Sequence, residues 1–318
     1  MAKIGIIADI HNSEEDAIVS GIWGVNDMRH YTNAPTRAAA FKTYMDAQGD
    51  IDFRVDLGDI VNVGAADPAV ELAEIVAALG ADHLVMGNHE IGIWGATGLD
   101  DWTDYEAVVS QTPPDEVGHW TIGKPANYPN TTAYSFDTAG LHCVTLAGAG
   151  ASLWSEAERA AFITWLAADL AATSLPIIIL THCHLDNSAN IGLARYIDYE
   201  TVQTEIEKHN IQAVISGHLH TIPENPCTME NQLRPFLYKK AEIPYFHLRG
   251  NLLGHTSIET EPIATDAAYY IFDINPNAVQ GRNRMKANIE VWTNFVPQDA
   301  IMNSVMDKNL DTYLPVVA

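Results

Sequence analysis

Residues 3–11 read KIGIIADIH, a mainly apolar run that ends in the polar residues Asp9 and His11. The run predicts a short buried strand from Lys3 to Ala8. Because residues two apart in an extended chain point to the same side, Asp9 and His11 can face one ion together. The opening of the chain therefore predicts a strand whose carboxyl end carries a candidate metal-binding pair.

Two further strands are predicted downstream, and each is followed by a polar residue. Residues 51–55 lead to Asp59, and residues 83–86 lead to Asn88. Helical patterns separate the three strands, at residues 36–48 and 68–79. This alternation predicts a parallel sheet covered by helices, and ligands of such sheets bind beyond the carboxyl ends of the strands. We therefore expect Asp9, Asp59 and Asn88 to lie in one site.

The rest of the chain is predicted to add strands and two helices. The strands are expected at residues 132–136, 141–146, 177–180, 213–215, 245–248, 268–274 and 288–292, and the helices at 155–172 and 199–209. Ser155 and Glu158 predict a capping box at the first of these helices. Residues 91–130 are rich in Gly, Trp, Asp and Pro and are predicted to form an irregular, cap-like insert. No linker is evident, so we expect residues 1–318 to form one domain.

Five short segments carry the candidate metal ligands, and each follows an apolar strand. They are DIH at 9–11, GD at 58–59, GNHE at 87–90, THCH at 181–184 and GHLH at 217–220. Carboxylate oxygen, amide oxygen and imidazole nitrogen together suit transition metals such as Mn, Fe, Zn or Ni. The set is too rich in nitrogen for a Mg or Ca cage, and it requires no thiolate. The glycines of these segments permit tight turns and close backbone approach.

In this order the five segments resemble the motifs of the calcineurin-like metallophosphoesterase superfamily, and they span residues 9–220. The resemblance implies an α/β fold, a four-layer α-β-β-α sandwich with two mixed sheets flanked by helices. It also implies two divalent or trivalent transition-metal ions and the hydrolysis of phosphate esters. In such a centre the ions lower the pKa of bound water, and the resulting hydroxide attacks phosphorus.

The resemblance also implies a role for each polar side chain of the motifs. Those that would bind the ions are Asp9, His11 and His220 for the first, Asn88, His182 and His218 for the second, and Asp59 for both. His89 would stay off the metals, contact the phosphate and donate a proton to the leaving oxygen.

Three further residues are candidate substrate contacts. His184 lies two residues after His182 and could face the same side. Either histidine could therefore be the ligand; we favour His182 and expect His184 to line the pocket. Asn62 stands three residues after Asp59, where purple acid phosphatases carry a Tyr, which argues against that subgroup. His119 belongs to an aromatic set in the insert that could form either a substrate lid or a small core of its own.

Two acidic residues, one within a motif and one next to a motif, are not assigned as metal ligands. Asp56 precedes the GD segment and is either an acceptor behind the metal ligands or a surface residue. Glu90 is expected to bond to a neighbouring histidine or to a backbone group.

The chain has 318 residues and a net charge of −24, from 17 basic and 41 acidic residues. Such a charge favours solubility and repels polyanions, so nucleic acid is not an expected partner. No stretch approaches the length that a membrane span requires, and the N-terminal apolar run is too short for a secretory signal. We therefore expect a cytoplasmic protein that binds no membrane, and three reduced cysteines without paired spacing.

Together these features predict a hydrolase of a small phosphate ester, with nucleotides among the candidate substrates. We favour a phosphodiesterase, because the aromatic insert indicates a pocket of small-molecule size. A phosphatase that acts on monoesters is the alternative. The negative charge opposes a nuclease, and the filled ligand positions oppose a non-catalytic scaffold.

Overall fold

The structure is a computed structural model that describes most of the N-terminal two thirds of the chain and short segments beyond. The described residues are 2–14, 17–20, 26–29, 32, 34–62, 68–90, 116–119, 133–146, 155–183, 185, 199–219, 236–240, 243–249, 256–257, 270–274, 292–293 and 296–297. The predictions for His184 and His220 lie outside these residues.

The described residues form strands and helices that alternate along the chain. The strands are β1 (Ala2–Ile7), β2 (Ala17–Ser20), β3 (Asn26–Arg29), β4 (Phe53–Asp56), β5 (His83–Leu84), β6 (Glu116–His119), β7 (Tyr134–Thr138), β8 (Leu141–Leu146), β9 (Ile177–Thr181), β10 (Ile211–Leu219), β11 (Phe236–Lys240), β12 (Ile243–Arg249), β13 (Thr256–Ser257), β14 (Tyr270–Ile274), β15 (Trp292–Thr293) and β16 (Val296–Pro297). The helices are α1 (Ala34–Gln48), α2 (Pro68–Leu79), α3 (Glu156–Ala172) and α4 (Tyr199–Ile206).

The first sheet has the strand order β14-β1-β4-β5. Strands β1, β4 and β5 run parallel, as predicted, with Ile4 opposite Phe53 and Val55 opposite His83. Strand β14 pairs antiparallel with β1, so the sheet is mixed. The carboxyl ends of β1, β4 and β5 consequently meet at one edge of the sheet.

The second sheet has the strand order β11-β12-β10-β9-β8-β7-β6. Strands β8, β9, β10 and β12 run parallel at its centre, while β11, β7 and β6 are antiparallel to their neighbours. Strands β7 and β8 form a hairpin that turns at Ala139 and Gly140, which have φ angles of 50° and 80°. The central strands β9 and β10 end in the histidine segments, so this sheet also presents polar residues at its carboxyl edge.

Alternating side chains divide the apolar core into layers. On β9, Ile178 and Leu180 join an inner core made of residues from both sheets, whereas Ile177 and Ile179 join the core beneath the helices. Helices α1 and α2 pack together, as do α3 and α4. Gly5 on β1 lies against Met45 of α1, so this helix covers the outer face of the first sheet.

Helix α3 covers the second sheet, because Ser135 on β7 donates a hydrogen bond to Asp169 on this helix at 2.6 Å. The chain therefore folds into the predicted four layers, two mixed sheets flanked by helices. Helix α3 begins with the predicted capping box of Ser155 and Glu158. No helix within the described residues is long and apolar enough to cross a membrane.

Some strands of the fold were not predicted, among them β11 and β16. Residues 116–119, within the region expected to be irregular, form the edge strand β6 and pair with β7; the rest of that region lies outside the described residues. Strands β2, β3 and β13 form a small separate sheet. These strands are too short to show a period, and β13 reaches β3 from a distant part of the chain, so local patterns do not reveal them.

Candidate metal centre

The loops that follow β1 and β4 run side by side beyond the ends of the strands. The backbone N–H of Asp9 donates to the carbonyl of Gly58 at 2.9 Å, and that of His11 donates to the carbonyl of Asp59 at 2.9 Å. This ladder prolongs the parallel pairing of the two strands. It brings Asp9, His11 and Asp59 next to one another, as their positions after the strands predicted.

The backbone at this edge adopts an unusual conformation. Asp9, His11, Asp59 and His218 have positive φ angles of 56°, 51°, 55° and 69°. Among the described residues, Ala139 in the β7–β8 hairpin is the only other non-glycine residue with a positive φ. Left-handed backbone is uncommon outside glycine, and such strained residues concentrate at functional sites. The positive φ angles therefore mark this edge as a site.

Three imidazoles converge on a single oxygen of Asp59. The Nε2 atoms of His182, His11 and His89 lie 3.1, 3.5 and 3.7 Å from Asp59 Oδ2. These histidines come from three segments far apart in the chain. We call the residues gathered here the strand-end cluster, which comprises Asp9, His11, Asp59, Asn88, His89, His182 and His218.

The orientation of His182 is set by a backbone carbonyl. Its Nδ1 lies 2.8 Å from Leu57 O, which can only accept, so Nδ1 carries the proton and donates. In a neutral ring Nε2 then presents its lone pair, 3.0 Å from Asn88 Oδ1 and 3.1 Å from Asp59 Oδ2. Metal-binding histidines commonly have this arrangement, in which a carbonyl selects the tautomer. Three lone pairs that face one another favour a cation between them.

The end of β10 joins the two sheets at the cluster. The backbone N–H of His218 lies 3.0 Å from both carboxylate oxygens of Asp9 and donates to them. Gly217 makes this approach possible, because a Cβ on it would lie 2.9 Å from both Ala8 Cβ and Asp9 Oδ2. His182 and His218 pack edge to face with ring centroids 5.1 Å apart. The second sheet thus presents two imidazoles to the carboxylates of the first.

Burial and mutual charge shift the pKa values of the cluster strongly. Burial raises the pKa of Asp9 to about 8. Burial also opposes ionisation of Asp59, but the imidazoles, His182 foremost, hold its pKa well below the usual range. Burial alone would lower the pKa of His182, yet Asp59, Asp9 and Glu90 raise it to about 10. The buried carboxylates therefore require a positive charge beside them. When no cation is bound, a proton on His182 provides that charge.

The donor set of the cluster fits transition-metal ions. Two groups of side chains have ligand atoms within 4.8 Å of one another and share Asp59: His11, Asp59 and His89, and Asp9, Asp59 and His182. A third group contains Cys183, whose sulfur lies within 4.8 Å of a nitrogen of His182 and of His218. Sequence reasoning assigned no role to this thiol. The one sequence feature that could have pointed to a role for Cys183 is its position directly after His182.

Most of the predicted site residues that the structure describes come together. The structure describes the backbone of His119 on β6 but not its side chain, and His184 and His220 lie outside the described residues. Asn62 follows the loop after β4, where its backbone N–H donates to Asn12 O at 2.9 Å. Asp56 is fully buried and accepts from Gly58 N at 2.7 Å, which excludes the surface alternative.

Solved structures share this architecture. The chain superposes on a dimetal phosphatase from Danio rerio with a TM-score of 0.57 and 17% identity, covering 85% of this chain and 92% of that one. It superposes on a 5'-nucleotidase precursor from Thermus thermophilus with a TM-score of 0.53 and 11% identity, covering 98% of this chain and 58% of that one. At these identities the likeness shows the fold.

The sequence itself identifies the family. No curated protein matches the chain. The family model described as calcineurin-like phosphoesterase matches residues 2–221, which is more than half of the 318 residues. The matched region includes every segment of the strand-end cluster. The chain belongs to the calcineurin-like phosphoesterase family and is a metallophosphoesterase, a hydrolase of phosphate esters.

Proposed function

We propose that this metallophosphoesterase hydrolyses small phosphodiesters, including nucleotide derivatives, with two transition-metal ions held by the strand-end cluster. One observation carries the proposal: the Nε2 atoms of three histidines lie 3.1–3.7 Å from the same oxygen of Asp59. One carboxylate oxygen has too few lone pairs to accept a proton from each of three rings, and the neutral ring of His182 presents its own lone pair to it. Cations placed between these atoms would satisfy all of them.

The proposed ligands divide between the two ions. They are Asp9, His11 and His220 for the first ion, Asn88, His182 and His218 for the second, and Asp59 for both. Full burial of Asp9, His11 and His182 supports cation binding by these residues, because buried ionisable groups require a partner of opposite charge. When bound, the ions would activate a water molecule and offset charge on the phosphoryl oxygens.

We assign His89 to the substrate rather than to an ion. Its side chain is 18% exposed, whereas those of His11, Asp59 and His182 are at most 1% exposed. Its backbone N–H donates to Asp59 Oδ1 at 2.9 Å, and its ring packs edge to face on His11. The ring is thus held at the mouth of the site. There it would contact the phosphate and donate a proton to the leaving oxygen.

Two observations bear on the substrate class. The net charge of −24 supports a small substrate, because it opposes the approach of nucleic acid. The alternative is a phosphomonoesterase, and the names of the two superposed proteins, a phosphatase and a 5'-nucleotidase, favour it. The aromatic residues of the insert, such as Trp94 and Trp102, could stack on a base, which supports a nucleotide derivative as the substrate, and we keep the diester as the first choice to be tested.

The test is metal-dependent turnover of two matched substrates. Protein stripped by a chelator would receive Mn, Fe, Zn or Ni separately, and rates would be compared for bis-p-nitrophenyl phosphate and p-nitrophenyl phosphate. We expect activity to return with metal and kcat/KM to be higher for the diester. Higher kcat/KM for the monoester would favour the alternative. No metal-dependent turnover of either ester would overturn the proposed function.

A further inference from the structure

Glu90 accepts hydrogen bonds from four backbone N–H groups of two loops. Its Oε2 accepts from Gly87 at 2.7 Å and from Asp59 at 3.0 Å. Its Oε1 accepts from Ile60 at 2.7 Å and from Val61 at 3.1 Å. The side chain is fully buried, so water does not compete with it for these donors. One carboxylate therefore satisfies the backbone of both loops at the same time.

The two loops that share Glu90 also touch directly. A Cβ on Gly87 would lie 2.2 Å from both the amide nitrogen and Oδ1 of Asp59, and 2.8 Å from Glu90 Oε2. Gly58, with a φ of 97°, leaves equally little room, since its Cβ would lie 2.5 Å from Gly87 N. The loop at 57–61 carries Asp59, and the loop at 87–90 carries Asn88 and His89. Their mutual position thus depends on this contact and on the carboxylate that spans it.

The bonds from Glu90 act where the backbone is strained. Asp59 has a φ of 55°, a left-handed conformation that costs free energy for L-residues other than glycine. Glu90 accepts from the N–H of Asp59 and of the next two residues, so it holds this turn on three consecutive groups. Oδ1 of Asp59 in turn accepts a hydrogen bond from the backbone N–H of His89. The second carboxylate oxygen, Oδ2, therefore faces the imidazoles.

We propose that Glu90 is a positioning residue of the metal centre. Its carboxylate locks the loop of Asp59 against the loop of Asn88, so that Asp59 and Asn88 would reach the same ion. This inference rests on the proposed function, because it presupposes that the strand-end cluster binds metal. Residues that hydrogen-bond to metal ligands commonly change the metal affinity by about 10–100-fold when they are replaced, and we expect a change in that range for Glu90.

The test is Mn²⁺ affinity, measured by titrating metal-free protein and following the electron paramagnetic resonance signal of free Mn²⁺. Glu90→Gln retains the size of the side chain but turns an amide N–H₂ toward N–H donors. We expect it to bind Mn²⁺ about 10–100-fold more weakly than the unmodified protein. Glu90→Asp retains the charge but is shorter, and we expect an intermediate loss. Circular dichroism of the metal-free variants would show that the fold persists.

Glu158→Gln is the matched control. Glu158 also accepts a backbone N–H, from Ser155 at 2.6 Å, but it does so at the start of α3. We expect this variant to bind Mn²⁺ as the unmodified protein does.

Three results would count against the inference or its premise. A folded Glu90→Gln protein with unchanged Mn²⁺ affinity would overturn it, and so would loss of folding in both metal-free Glu90 variants, because the carboxylate would then serve the fold alone. If the unmodified protein bound no Mn²⁺, Fe, Zn or Ni, the proposed function itself would fail. The unmodified protein thus separates the two failures.

Discussion

Two polar clusters of this protein surround buried histidine with carboxylates, but they are built on different principles. The outer cluster, made of Ser135, Asp137, His142 and Asp169, lies between the second sheet and α3. His142 Nδ1 lies 2.6 Å from Asp137 Oδ1, and its Nε2 lies 3.1 Å from Asp169 Oδ2. The other oxygen of Asp169 accepts from Ser135. Each nitrogen of the His142 ring therefore has one carboxylate partner. A single proton added to the neutral ring lets both nitrogens donate, which completes the network.

In the strand-end cluster, by contrast, the ring nitrogens do not each have a carboxylate oxygen of their own. Several ring nitrogens face one oxygen of Asp59, and Asn88 adds a further acceptor beside His182. Four of its seven members also have left-handed backbone, whereas His142 lies in the regular strand β8. The comparison shows that burial and charge alone do not identify a functional site. A polar cluster that is complete within the protein stabilises the fold, and one with surplus lone pairs on strained backbone indicates a site for a cation.

The largest effect is expected from Asp59→Asn. This change removes the charge that both proposed ions share, so we expect kcat/KM on bis-p-nitrophenyl phosphate to fall by on the order of 10⁴-fold or more. The metal content after Mn²⁺ loading should fall in parallel, as measured by elemental analysis. Asp137→Asn makes the same substitution in the outer cluster and should leave both quantities unchanged. Equal behaviour of the two variants would remove the distinction between the clusters.

His89→Asn should separate proton donation from metal binding. We expect kcat to fall by about 10²–10⁴-fold while the metal content is retained, since this residue is assigned to the leaving group. The loss should be greater for an ester with an alkanol leaving group than for p-nitrophenolate, which departs without a proton. A uniform loss across both leaving groups, or a loss of metal, would refute the assignment. His142→Asn serves as the comparison in the outer cluster.

Metal should stabilise the protein through the strand-end cluster. At a free Mn²⁺ concentration 100 times the Kd, the free energy of unfolding should rise by about 2.7 kcal/mol for each ion bound, relative to chelated protein. Thermal unfolding with and without Mn²⁺ measures the change. Asp59→Asn should abolish the increase, and His142→Gln should preserve it. An increase of the same size in both variants would mean that the ion binds elsewhere.

The smallest effect concerns the pH dependence of the outer cluster. Burial lowers the pKa of His142, but its bonds to Asp169 and Asp137 outweigh burial and raise the pKa above the ordinary value. A raised pKa gives stability that is full below about pH 6.5 and is lost as pH rises through the folded-state pKa. His142→Gln should therefore lower the free energy of unfolding by about 1–2 kcal/mol at pH 6 and by less at pH 9.

Thermal or denaturant unfolding of the two proteins at both pH values provides the measurement for His142. An equal loss at pH 6 and pH 9 would show that folding does not raise the pKa of His142. The activity of His142→Gln at saturating metal should match that of the unmodified protein, because this cluster takes no part in the site.

The sequence alone determined the elements and the motifs of this protein. Apolar runs that end in polar residues predicted β1, β4 and β5 and their parallel order, and helix α2 spans the predicted residues 68–79. The family resemblance, carried by five short segments, agrees with the match over residues 2–221. These features are local, because the period of a strand or helix and the spacing of a motif are properties of neighbouring residues.

Tertiary structure decided the geometry of the site, because that geometry arises from residues far apart in the chain. Leu57 O selects the tautomer of His182 across 125 positions, and Asp9 accepts from His218 across 209 positions. Neither contact leaves a local pattern. The left-handed backbone of Asp59 and the four N–H groups on Glu90 likewise exist only after the two loops have met. A motif thus names the ligands, but packing between the loops and sheets orients them toward a shared ion.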